Sequence, residues 1–170
     1  NLRLLNFIYY TKKDYYSALN HINEAIKINP NYAEAYNEKG NSLIKLKQLH
    51  SAIQSYDMAI KINPEYGDAH YNKGVVLHEL GRFEFAIENY NKAIKLNPNH
   101  SQAHNNKGFA LQKIKKLDDA RKSFKNVLKI NPNFDFLLGE LINVNNKMCD
   151  WKSYKEDLEI LKKKIVNKNK

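Results

Sequence analysis

Apolar residues recur along this chain at helical spacing, in two stripes per period. The first complete period shows the pattern: Ala35, Tyr36, Gly40, Leu43 and Leu46 form one stripe, and Ala52, Ile53, Tyr56, Ala59 and Ile60 the next. Such spacing puts each set on one face of a helix. Each period closes on Asn-Pro, in AIKINPNY, AIKINPEY, AIKLNPNH and VLKINPNF, so that Pro30, Pro64, Pro98 and Pro132 lie 34 residues apart. Proline fixes φ, lacks an N–H and disfavours helix in the residue before it. The pattern therefore predicts pairs of helices, each of about fourteen residues, with a short turn inside each pair. Four stops at one interval indicate a tandem array rather than a single globular core.

With proline at position thirty-two, the complete units are 33–66, 67–100 and 101–134. An incomplete unit, 1–32, precedes them, a divergent helix pair, 135–166, follows, and a basic tail, 167–170, ends the chain. Position eight is Gly40, Gly74 and Gly108; position twenty is Ala18, Ala52, Ala86 and Ala120. Position twenty-four is Tyr56, Tyr90 and Phe124, and position twenty-seven is Ala25, Ala59, Ala93 and Val127. Small residues stand where paired helices must approach closely, with aromatics filling the space opposite. These tyrosines are expected to pack in the core. In the opening segment, Asn1 to Tyr10 supply only part of a first helix and Asn6 stands in the glycine position, so fraying is expected there.

AYNEKGNSLIKLKQLHSAIQSYDMAIKINP and AHYNKGVVLHELGRFEFAIENYNKAIKLNP resemble the tetratricopeptide repeat (TPR) pattern closely, and the resemblance extends over nearly the whole chain. It implies an all-α, right-handed superhelical solenoid of antiparallel helix pairs with no β-strands. It also implies a non-catalytic scaffold that holds a protein or peptide on a concave wall lined by the first helices. Each unit leaves a face bare until a neighbour covers it, so another chain could also meet exposed terminal repeats.

Residues at positions two, five, six, nine, twelve and thirteen would form that wall. They are Glu34, Asn37, Glu38, Asn41, Ile44 and Lys45, then Asp68, Tyr71, Asn72, Val75, His78 and Glu79, then Gln102, Asn105, Asn106, Phe109, Gln112 and Lys113. An amide both donates and accepts, so asparagines can grip an extended peptide backbone whatever its side chains. The expected contact residues are Asn37, Asn41, Tyr71, Asn72, Val75, Asn105, Asn106, Phe109 and Lys113. Tyr71, Val75 and Phe109 would add apolar anchoring. The chaperone-type carboxylate clamp is matched at Asn41 and Asn72, but its three cations are replaced by Asn37, Gln102 and Asn106. A carboxylate would lack its charge-assisted bonds there.

Charge alters this picture little. The chain carries 28 Lys and Arg against 18 Asp and Glu, a net +10. An acidic partner, nucleic acid or an anionic membrane would suit that balance, yet a bias toward Lys, Asn, Ile and Tyr accounts for it, and no nucleic-acid module is recognisable. Five lysines lie at the end, at 162, 163, 164, 168 and 170, and they carry the alternative reading of binding to polyanions. There is no run able to span a membrane, and NLRLLNFIYY lacks the features of a signal peptide. The lone Cys149 fits a reducing, cytoplasmic setting. Opening on Asn within a repeat, the sequence reads as a fragment of a longer protein.

After Pro132 the small-residue signature disappears. Trp151 takes the turn position of Leu49, Phe83 and Leu117, and Tyr154 replaces the small residue at position twenty. Helices are expected at about 135–147 and 151–166, with Lys155, Glu156, Asp157, Glu159 and Lys162–Lys164 forming the polar face of a terminal cap. MCDWKSYKEDLEILKK also resembles the last repeat of the O-GlcNAc transferase family, carried by Cys149, Asp150, Trp151 and Tyr154, with FLLGEL similar to bacterial members. That likeness implies a substrate-recruiting arm of a larger glycosyltransferase that uses UDP-GlcNAc. In that family's groove, position six holds an asparagine ladder; Asn72 and Asn106 match it, and Glu38 and Glu140 depart from it.

No cofactor, metal site, small-molecule substrate or catalytic set is expected. His100 and His104 have i,i+4 spacing, but His104 holds the aromatic position shared with Tyr36 and His70, and a zinc site needs further ligands.

Overall fold

The computed structural model describes residues 14–132 and 136–168. The partial helix expected over Asn1–Tyr10 lies outside them, as do the side chains of Lys163, Lys164, Lys168 and Lys170. Every regular element among the described residues is an α-helix. The chain divides into two compact units, residues 1–97 and 98–170.

In the first unit the helices are α1 (Tyr15–Ile28), α2 (Ala33–Lys45), α3 (Leu49–Ile62), α4 (Gly67–Glu79) and α5 (Phe83–Leu96). α2 packs with α3, and α4 with α5, as hairpin pairs; α1 lies against α2, and α3 against α4. The Asn-Pro joints separate the pairs as expected. Asn29, Asn63 and Asn97 all leave the helix with φ between −131° and −135° and ψ near 94°, the extended conformation that a following proline imposes. Asn29 and Asn63 also accept through Oδ1 from the N–H two residues on, at 3.1 Å, which closes the joint as an Asx turn.

The core of this unit is built from the repeat's small and large positions. Ala18, Ala52, Ala86, Ala59 and Ala93 are fully buried, as is Tyr56, and Tyr90 is 1% exposed. Leu43, Ala52, Tyr56 and Val76 form one cluster, with Leu19, Ile44, Leu49, Ile53 and Leu80 packed around it. Glycine at position eight is required by the ring opposite: a Cβ on Gly40 would lie 2.5 Å from Tyr56 Cε1, and one on Gly74 2.7 Å from Tyr90 Cε1.

The second unit holds α6 (Ser101–Lys113), α7 (Leu117–Ile130), α8 (Phe136–Lys147) and α9 (Trp151–Lys168). α6 pairs with α7, α8 packs against α7, and α9 against α8. Gly108 meets the ring of Phe124 as Gly40 meets Tyr56, and Leu137, Leu141 and Val144 supply the core of the divergent layer.

Among the described residues, the turns within pairs share one geometry. The residue entering the left-handed region is Lys47 (φ 61°), Gly81 (73°), Lys115 (60°) and Cys149 (55°), again 34 residues apart. The residue after each donates its N–H back to Leu43, Leu77, Leu111 or Asn145 at 2.9 Å. This is the Schellman closure, which favours glycine at the left-handed position. Only one of the four turns has it.

The cap differs from expectation at Asp157. Lys155, Glu156, Glu159 and Lys162 are exposed, as a polar outer face requires. Asp157 instead is half-buried and accepts from Nδ2 of Asn145, at 2.8 Å. Asn145 is fully buried at the position held by Leu43, Leu77 and Leu111 in the complete units. The amide brings a polar group into an apolar layer, and it draws the carboxylate in after it.

Candidate interaction surface

In the first unit, the residues expected at the wall lie on α2 and α4, and interior hydrogen bonds set the orientation of their amides. The Tyr56 ring packs under Gly40, so its hydroxyl emerges beside Asn41 and donates to Asn41 Oδ1 at 2.7 Å. Nδ2 of Asn41 is thereby turned away as a donor. Asn72 gives a hydrogen of Nδ2 to Asn37 Oδ1 at 3.0 Å, which leaves Oδ1 of Asn72 as an acceptor. Asn41 and Asn72 are both half-buried, whereas Asn37 is only 4% exposed. Asn37 thus supports the wall from behind and presents little of its own amide.

Tyr71 and Val75, on successive turns of α4, are half-buried. The Tyr71 ring lies 6.0 Å from that of Tyr90, tilted by 43°. Charge on this wall opposes that of the whole chain: Glu34, Glu38, Asp68 and Glu79 stand against Lys45. Lys47 approaches Glu79 at 3.5 Å, but both are well exposed, where such pairs contribute little.

In the second unit, α6 carries Asn105, Asn106, Phe109 and Lys113. Phe109 meets Phe124 edge-on at 5.2 Å. Asn105 donates to Asn106 Oδ1 at 3.4 Å, a long bond, and its own Oδ1 is buried without a partner, as is Nε2 of Gln112. Lys113, at the last turn, is exposed.

Positions nine and twenty-four therefore meet as couples in two units: Asn41 with Tyr56, and Phe109 with Phe124. A hydroxyl lies under the amide, and a plain ring lies under the ring. Both columns were visible in the sequence, but the contact between them was not.

The histidines at position four are structural. His70 and His104 are 4% and 8% exposed. Their Nε2 atoms lie 3.0 and 3.1 Å from the carbonyls of Pro64 and Pro98. Burial, against the favourable Pro98 carbonyl, holds His104 below its ordinary imidazole pKa of 6.5, and Lys107 and His100 push the same way. His100 caps α6 by accepting from the Ala103 N–H at 3.4 Å. Among the described residues no group of three His, Cys, Asp or Glu side chains could hold a metal ion, and no helix is long and apolar enough to cross a membrane.

The Cys-Asp-Trp element has work within the fold. Cys149 takes the left-handed turn position. Asp150 caps α9 by accepting from the Ser153 N–H at 3.1 Å, and it receives Arg121 Nη1 at 2.7 Å. These bonds, chiefly the one from Ser153, hold the Asp150 carboxyl below its ordinary pKa. Trp151 remains 56% exposed, edge-on to Tyr154 with centroids 6.0 Å apart.

Family models described as tetratricopeptide repeats match residues 7–32, 21–54, 67–100 and 101–134, and one described as a TPR repeat matches 40–81. No curated protein matches significantly. Among solved structures, MamA 41-end from Desulfovibrio magneticus RS-1 is similar with a TM-score of 0.86 at 18% identity, over 99% of this chain and 96% of that one. YrrB, described as a TPR protein with an unusual peptide-binding site, gives 0.78 at 22% identity over 92% and 80%. The first TPR of Spaghetti (RPAP3), bound to the HSP90 peptide SRMEEVD, gives 0.66 at 26% over 69% and 93%.

Proposed function

Because this chain belongs to the tetratricopeptide repeat family, we propose that it is a non-catalytic scaffold that holds an extended protein or peptide segment on its first helices. The observation that carries this reading is the fixed polarity of two amides. Tyr56 engages the oxygen of Asn41, and Asn37 accepts one N–H of Asn72. Asn41 keeps its Nδ2 hydrogens as donors and Asn72 keeps Oδ1 as an acceptor, groups that a peptide unit complements through its C=O and N–H. Neither amide has to reorganise when the ligand arrives, so less of the interaction is spent on ordering side chains. Tyr71 and Val75 supply apolar contact beside them. In the second unit, Asn105, Asn106, Phe109 and Lys113 are the corresponding contacts.

The wall's acidic balance and the missing clamp cations argue against acidic C-terminal peptides of the kind held by Spaghetti. Neutral or basic segments fit better. The alternative, a substrate-recruiting arm of an O-GlcNAc transferase-like enzyme, rests on the Cys149–Tyr154 element. Turn, cap and ion pair already account for Cys149 and Asp150, so that element does not favour it.

Selection from an extended-peptide display library, followed by titration of the captured peptide, tests the reading. Asn41→Ala with Asn72→Ala should weaken binding at least tenfold while helical content is retained. Tyr56→Phe, which leaves the wall's composition intact but frees Asn41 to turn, should weaken it about threefold to tenfold. Undiminished binding by both variants would place the site elsewhere.

A further inference from the structure

The positive charge is not spread as a compositional bias would spread it. The first unit holds 12 Lys and Arg against 10 Asp and Glu; the second, though shorter, holds 16 against 8. Five of those cations are the lysines at 162, 163, 164, 168 and 170, and a further excess lies on one helix. With its preceding turn, α7 carries Lys115, Lys116, Arg121, Lys122, Lys125 and Lys129 against Asp118 and Asp119, a net +4. The same stretches ending in α3 and α5 are each +1. Lys122, Lys125 and Lys129 fall at i, i+3 and i+7, on one stripe, and all three are exposed. Gln54 and Asp57, or Glu88 and Asn91, hold the first two of these positions in the other complete units.

An exposed apolar side chain stands where α9 begins, next to its link with α7. The Arg121–Asp150 bond ties α7 to the start of α9, and the next residue is the exposed Trp151. Lys125 also lies near enough to Asp157 of α9 to lower its carboxyl pKa against the effect of burial. One side of the second unit thus combines exposed lysines with an exposed indole.

We infer that this side docks on an anionic membrane surface, with α7 lysines over the acidic headgroups and Trp151 at headgroup depth. Lysine heads attract a diffuse negative surface without requiring fixed geometry, and tryptophan favours the boundary between water and acyl chains. A nucleic acid would be better matched by stacking rings in line, whereas Trp151 and Tyr154 are close to perpendicular, at 74°. This surface lies on second helices and is independent of the peptide wall.

Trp151 is the only tryptophan in the chain, so its fluorescence reports the contact directly. The full chain is titrated with vesicles of phosphatidylcholine alone, then with vesicles containing about a third phosphatidylserine. The expected result is a blue shift and co-sedimentation with the anionic vesicles only, both reversed by salt. Each Lys→Gln change at 122, 125 or 129 should weaken binding roughly fivefold, and Trp151→Ala should reduce co-sedimentation further. These side chains are exposed, so unchanged circular dichroism separates lost binding from lost folding. The inference is overturned if anionic vesicles leave the emission unmoved, if the triple lysine variant binds as well as the parent, or if an oligonucleotide displaces the vesicles.

Discussion

Gly40 and Tyr56 are fitted to each other so closely that the glycine's missing methyl is the space the ring occupies: a Cβ there would meet Cε1 at 2.5 Å and Cζ at 2.6 Å. Ala ordinarily improves a helix interior over Gly by about 1 kcal/mol. Here Gly40→Ala should instead destabilise by about 1–3 kcal/mol, since the wholly buried ring cannot yield without moving α3 from α2. Thermal unfolding of Gly40→Ala and of Gly40→Ala with Tyr56→Leu checks this. The second change should recover part of the loss.

Three of the four left-handed turn residues are not glycine. Lys115→Gly and Lys47→Gly should each raise stability by about 0.5–1 kcal/mol, because an L-residue costs about 1–2 kcal/mol in that conformation. Gly81→Ala should lose a similar amount. Denaturant midpoints of the three single variants suffice to test the sign.

Asp157 is placed where its charge is costly. Burial raises its carboxyl above the ordinary value, in spite of Lys125, Asn145 and Arg121, and the Asn145 oxygen beside it is buried without a partner. Asp157→Asn removes the desolvated charge and offers that oxygen a donor, so two reciprocal amide bonds can form. The variant should be more stable at neutral pH by about 1 kcal/mol. The advantage should shrink as acid protonates Asp157 in the parent. Loss of stability at neutral pH would show that the nearby cations outweigh the burial.

His104 gives the fold an acid sensitivity. Its folded pKa lies below 6.5 because burial disfavours the imidazolium. The neutral ring's contribution is therefore complete above the unfolded value and declines as pH falls below it toward the folded one. Denaturant unfolding from about pH 8 to about pH 5 should show this decline in the parent. It should be reduced in His104→Tyr, which restores the aromatic found at Tyr36. Equal slopes would rule the histidine out.

Much of this was legible because the repeat writes each layer three times. The proline interval placed the joints, and the glycine, alanine and tyrosine columns placed the core. Helices expected at 135–147 and 151–166 appear as Phe136–Lys147 and Trp151–Lys168. What the columns could not show is direction. Asn37, Asn41 and Asn72 read alike as wall amides, yet one is buried and two are oriented by bonds across the layer. Asp157 read as surface charge because polar residues surround it in sequence, and only the amide at Asn145, standing in a leucine column, hinted otherwise. The left-handed turns were hidden because Lys47, Lys115 and Cys149 do not advertise the conformation as Gly81 does.

The couples at positions nine and twenty-four bear on how such an array can be recombined. Each couple straddles the turn inside its helix pair, so a crossover at that turn would set the amide of one unit over the ring of another. A crossover at the Asn-Pro joint keeps wall and support together. The joint is therefore the natural seam for duplication and exchange, and each copy that passes through it keeps its paired side chains together.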